Sequence, residues 1–177
     1  MSRAPKPVRE SISEYAELAL PNDANGLGNL ASRVLAMVDR YRAGVVPTGA
    51  VDAVLAEDFE GVVPRFRELL DRAELTQALE VAWKLVRRLN RYVEETRPWE
   101  LAKDEADPER LDEVLYNLCE GLRVATLLLV PYLPRATEAL LAALGEESRA
   151  LAELGSRPGG QAVERVPQLF PKIEPPG

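Results

Sequence analysis

A chain of 177 residues with 46% apolar and 29% charged side chains has the length and balance of one globular domain with a real core. Its net charge of -7 argues against a broad nucleic-acid surface, which depends on neutralising many phosphates. The absence of histidine and the single cysteine remove histidine-based nucleophile systems, histidine-ligated zinc and an internal disulfide, and fit a reducing cytoplasm.

The elements follow in chain order, and helical periodicity dominates while strand alternation is nearly absent. MSRAPKPVRES lacks the apolar core of a secretory leader. An amphipathic segment is expected from Val8 to Leu20, ended by Pro21. Asn22 or Asp23 would cap a helix over Asn25 to Arg42, which carries Leu27, Leu30, Val34, Val38 and Tyr41 at helical spacing and is stopped by Gly44 and Pro47. Residues 49 to 72 make one helix or two, with the break marked by Gly61 and Pro64.

Leu75, Leu79, Ala82, Val86, Leu89 and Val93 then form one apolar stripe on a long helix ending at or before Arg97, because Pro98 has no backbone donor. Trp83 falls on that stripe and should be buried. Asp107 and Pro108 are a cap and a first-turn proline for a helix reaching Val130, apolar enough to be the most buried. Its run from Val124 to Leu133, interrupted by Thr126 and Pro131, is too short to cross a bilayer. A short helix starts at Pro134 and ends near Gly145, and Glu147 to Leu154 is expected to add one more short helix. SRPGGQAVERVPQ reads as a linker to an apolar end, LFPKIEPPG. The expectation is an all-α bundle of four to five main helices with an extended C-terminal tail, divided into an N-terminal extension (1–21), the bundle (22–154) and a linker and tail packed on it (155–177).

Two polar features stand outside the core pattern. On a helical wheel with Leu27 at zero, Asn29, Arg33 and Arg40 gather on the opposite side, and Asn29 and Arg33 are neighbours at i and i+4. Asparagine offers a donor and an acceptor and arginine a planar fork, the chemistry that reads a base edge; plain solvent exposure is the competing reading. In RYVEETRPWELAK, Arg87, Arg88, Arg91 and Arg97 precede Trp99. An exposed indole at that corner can stack on an unpaired base regardless of net charge. The arginines could meet phosphates, or pair with Glu94, Glu95 and Glu100 on a solvated face.

GLGNLASRVLAMVDRY, RYVEETRPWELAKDE, VLYNLCEGLRVATLLLVPYLP and LFPKIEPP together resemble the helical anticodon-binding domain of bacterial methionyl-tRNA synthetases, in order from about Asn22 to Glu174. The resemblance implies a class I synthetase bundle that recognises the CAU anticodon of methionine tRNA. It assigns anticodon contacts to Asn29, Arg33 and Trp99; RNA-backbone contacts by Arg40, Arg87, Arg88 and Arg91 carry no such signature and rest on charge alone. HIGH and KMSKS signatures are absent from the chain, so aminoacylation is not expected of it alone. ATP and methionine would belong to a catalytic domain encoded upstream or separately, and this chain needs no metal or cofactor of its own. Neither a membrane nor DNA is expected as a partner. The alternative is a stand-alone bundle derived from the synthetase that binds proteins and no longer binds tRNA.

Overall fold

The computed structural model describes residues 21–104, 107–166 and 168–170. Among these, seven helices and no strand occur: α1 (Pro21–Arg42), α2 (Ala53–Phe59), α3 (Val62–Asp71), α4 (Leu75–Thr96), α5 (Pro98–Asp104), α6 (Pro108–Leu129) and α7 (Pro134–Ala143). Five have ten or more residues, so the all-α bundle is as expected. The segment Val8 to Leu20 lies outside the described residues.

The centre of the bundle is α6. Every residue from Val114 to Leu129 on it is buried, and α1, α4, α5 and α7 pack around it. Asp107 caps it, accepting the Arg110 amide at 2.9 Å, with Pro108 at the first position, as the sequence requires. Gly121 lets α4 approach: a Cβ there would lie 2.4 Å from Leu89 Cδ2, so any side chain would force Leu89 to move within a packed core. The polar residues carried inward on α6 are satisfied. Asn117 donates to the carbonyls of Ala50 and Glu113, both at 2.8 Å, and accepts the Asp52 amide at 2.9 Å.

Leu27, Leu30, Ala31, Val34, Leu35 and Val38 of α1 are buried, as the 3.6-residue period demands. The helix begins at Pro21, earlier than the expected start at Asn25; Asp23 is therefore inside its first turn, where it meets Arg87 at 2.8 Å instead of capping. The other end is closed by Ala43 and Gly44, both left-handed, with the Gly44 amide donating to the Val38 carbonyl. Residues 49–72 form two helices, and their break is at Gly61, whose φ of 69° suits glycine.

One expected helix does not form. Residues 147 to 154 are non-helical, because Glu146, Ser148 and Glu153 spend their groups on local turns and on α6. The chain there crosses the bundle and pairs with the segment after α1, through an isolated bridge between Val45 and Ala162 and hydrogen bonds joining Val46 to Gln161 and Gly160.

Candidate nucleic-acid interface

The corner after α4 is built by backbone geometry. Arg97 takes a left-handed φ of 47° and donates its amide to the Val93 carbonyl, closing the helix. Pro98 has φ preset for a helix and needs no donor, so a new helix starts immediately. From the sequence only a turn is expected here, because the seven residues of α5 carry no periodic signal long enough to be read.

This joint puts Trp99 in the first turn of α5, half-buried against the core. Trp83, by contrast, is fully buried. The Arg33 guanidinium of α1 lies over the Trp99 ring, 5.7 Å from its centroid, within cation–π range. Arg33 also donates to Glu94 of α4 at 2.8 Å. The wheel placed Arg33 opposite the core; the structure places it on the flank of α1, 40% exposed, leaning towards α4 and α5. Asn29 is exposed one turn away on the same helix, so the structure brings Arg33 and Trp99 together with Asn29 adjoining. Both ties on Arg33 face solvent. An exposed ion pair contributes about 0–1 kcal/mol and an exposed cation–π contact about 0.5–1 kcal/mol, so an incoming planar ligand can exchange for either.

The other arginines are placed differently. Arg87 donates to Asp23 at 2.8 Å and also to Glu80. Arg88, 14% exposed, is held between Asp58 and Glu95 and lies over Tyr92. Partial burial opposes both charges, but these carboxylates more than offset it and raise both guanidinium pKa values. Arg91 is exposed and makes no ion pair among the described residues; with Arg87 and Arg88 it borders a cleft of about 550 Å³ between α4 and the α2–α3 turn, which Lys84, Arg65 and three carboxylates also line. Arg40 is exposed beside Tyr41. These four do not converge on Trp99.

Glu94 as the partner of Arg33 was not read from the sequence. It lies 61 residues away, and no pattern within α4 distinguishes it from the neighbouring Glu95, which faces Arg88. Among the described residues no cluster of three potential metal-ligand side chains occurs, and no helix is long and apolar enough to cross a membrane.

Fold and site define an all-α bundle that presents an arginine and a tryptophan together at the joint of two helices. The family model described as the anticodon binding domain of methionyl tRNA ligase matches residues 44–175, a stretch that includes Trp99 and begins after Asn29 and Arg33. The chain is 36% identical over 162 residues to methionine–tRNA ligase 1 of Bacillus cereus, covering 85% of this chain and 24% of that protein. It is 38% identical over 159 residues to the methionine–tRNA ligase of Caldanaerobacter subterraneus, covering 85% and 25%. The crystal structure of free-state Mycobacterium tuberculosis methionyl-tRNA synthetase matches with a TM-score of 0.79 at 34% identity, over 94% of this chain and 35% of that one. The chain belongs to the family of methionyl-tRNA ligase anticodon-binding domains, and it spans about a quarter of the length of the curated relatives it matches.

Proposed function

We propose that this chain binds tRNA in translation, in the cytoplasm, by recognising the CAU anticodon of methionine tRNA. Trp99 stacks on an anticodon base, while Arg33 and Asn29 hydrogen-bond base edges. The observation that carries the reading is the Arg33 guanidinium lying 5.7 Å from the Trp99 centroid, with the two side chains on separate rigid helices. Family membership supports the RNA, and the surface explains how an acidic protein can take it. Stacking and base-edge contacts tolerate a negative net charge, whereas phosphate neutralisation does not.

Arg40 and Arg91, exposed and without carboxylate partners among the described residues, are better placed for backbone contact than Arg87 and Arg88, which must first leave their carboxylates. Activation of methionine with ATP is assigned to a catalytic domain encoded upstream or separately. The test is a filter-binding titration, at one fixed salt concentration, of a CAU stem-loop against stem-loops with unrelated anticodons. Selective binding of CAU that is lost on Trp99→Ala supports the reading; equal affinity for all loops sinks it.

A further inference from the structure

The outward stripe of α1 does not end at Asn29. One more step of four residues leads to Asn25, and Ser32 lies between the stripe and the tail. The described end of the chain, Gln168 to Phe170, crosses α1 at this point. A Cβ built on Gly28 would sit 3.4 Å from Phe170 Cδ2, an ordinary contact distance, so the ring lies over the face of α1 that this glycine leaves bare. Gln168 donates its side-chain amide to the Phe170 carbonyl at 3.3 Å, which holds the tail in a tight bend.

Helix and tail enclose a cleft of about 90 Å³, lined by Asn25, Gly28, Asn29, Ser32, Gln168 and Phe170, with Leu169 at its side. That is room for roughly three waters, enough to admit the edge of a planar ring but not to swallow it. Among the described residues no charged side chain lines the cleft, so they offer a phosphate no counter-charge. Three amide side chains, each with a donor and an acceptor, and a half-exposed aromatic ring form the combination that takes a splayed-out RNA base: a face to lie on and an edge to bond. Asn29 belongs at once to this cleft and to the stripe that ends in Arg33 over Trp99. The two places are one turn of α1 apart, about 6 Å along its axis.

We propose that the cleft between α1 and the C-terminal tail is a second base subsite, in which Phe170 stacks on a base next to the one on Trp99 while Asn29 and Gln168 read its edge. The inference rests on the anticodon-binding reading and adds to it that the tail is part of the recognition surface. The alternative work for Phe170 is to anchor the tail and nothing else.

A double-mutant cycle between protein and RNA separates the two. The full chain and its Phe170→Leu, Phe170→Tyr and Trp99→Ala variants are titrated with the CAU stem-loop and with three versions each lacking one anticodon base. Leucine preserves the apolar anchor without a stacking face, and tyrosine restores the face. Phe170→Leu is expected to weaken binding of the intact loop roughly tenfold, Phe170→Tyr to restore it, and the Phe170→Leu effect to vanish at one abasic position different from the position where the Trp99→Ala effect vanishes. A Phe170→Leu effect that persists equally at all three abasic positions, or is under twofold throughout, overturns the second subsite and leaves the Trp99 reading intact. Failure of the unmodified chain to prefer the intact CAU loop over unrelated loops overturns the anticodon reading, and the subsite with it.

Discussion

Arg33 and Arg123 each sit on a long helix and each meet a glutamate at 2.8 Å, yet the two pairs do opposite work. Arg33 and Glu94 are 40% and 62% exposed at the joint of α4 and α5, with the guanidinium also over Trp99. Arg123 and Glu120 are both 3% exposed. Two parallel bonds of 2.8 Å join them, and Glu146, Ser156 and the amide of Gly155 complete the set. Arg157 joins from the connector, where burial first and the neighbouring Arg123 second lower its guanidinium pKa, against the pull of Glu120 and Glu146. A buried ion set built on the doubly bonded Arg123–Glu120 pair costs too much to open, so it fastens the segment after α7 to α6, although the Arg157 Nε itself has no hydrogen-bond partner. An exposed pair costs almost nothing to open, so its arginine remains available to a ligand.

The largest expected effect comes from breaking the buried side of this contrast. Glu120→Ala leaves two arginines without their shared carboxylate and should cost about 3–5 kcal/mol, read as a lower urea midpoint by circular dichroism; a loss under about 1 kcal/mol would put this set in the same class as the surface pairs. Next comes Trp99→Ala, which should weaken CAU stem-loop binding by about 1–3 kcal/mol while the helical spectrum stays native. Matched losses of binding and folding stability would mean instead that Trp99 is a core residue like Trp83.

An intermediate case lies at Asp52, 11% exposed, which accepts from Tyr92 and Arg110. Burial pushes its pKa up, but the hydrogen bonds from Tyr92, Arg110 and the backbone prevail and lower it from the ordinary 3.8. The unfolded chain therefore takes up this proton at higher pH than the native one, so stability falls as pH drops through and below that value. Asp52→Asn should be less stable than the native chain at neutral pH, by a margin that is constant above about pH 5 and narrows in acid; a margin independent of pH would show that the charge contributes nothing. The smallest effect is expected of Glu94→Gln. Folding stability should change by no more than about 1 kcal/mol, and RNA affinity should rise a few-fold because Arg33 no longer has a carboxylate to leave. A fall in affinity would mean that Glu94 holds Arg33 in its binding position.

The core was legible in the sequence because burial imposes a period. Leu27 to Val38 on α1 and Leu79 to Val93 on α4 are buried where the stripe puts them, and Asp107 with Pro108 marks the start of α6. What was not legible depends on distant partners. The expected helix at 147–154 gives way because Glu146 and Gly155 bond to Arg123 and Glu120 on α6, a preference that local propensity does not contain. Asn29, Arg33 and Trp99 could be named as a set by resemblance, but the flank position of Arg33, its tie to Glu94 and the seat of Phe170 on Gly28 join residues 61 and more apart in the chain. An angle on one helix's wheel says which way a side chain starts out, and the neighbouring helices decide where its long arm ends.

The most direct measurement uses the contrast between the two tryptophans, one sealed in the core and one at the surface joint. Tryptophan emission is followed as CAU stem-loop is added to the native chain and to Trp99→Phe, which leaves Trp83 as the remaining indole. Stacking on Trp99 predicts saturable quenching in the native chain, little or none in Trp99→Phe, and little or none when the anticodon is changed. Quenching that is the same in Trp99→Phe, or the same with an unrelated anticodon, would contradict the placement of anticodon recognition at the Arg33 and Trp99 joint.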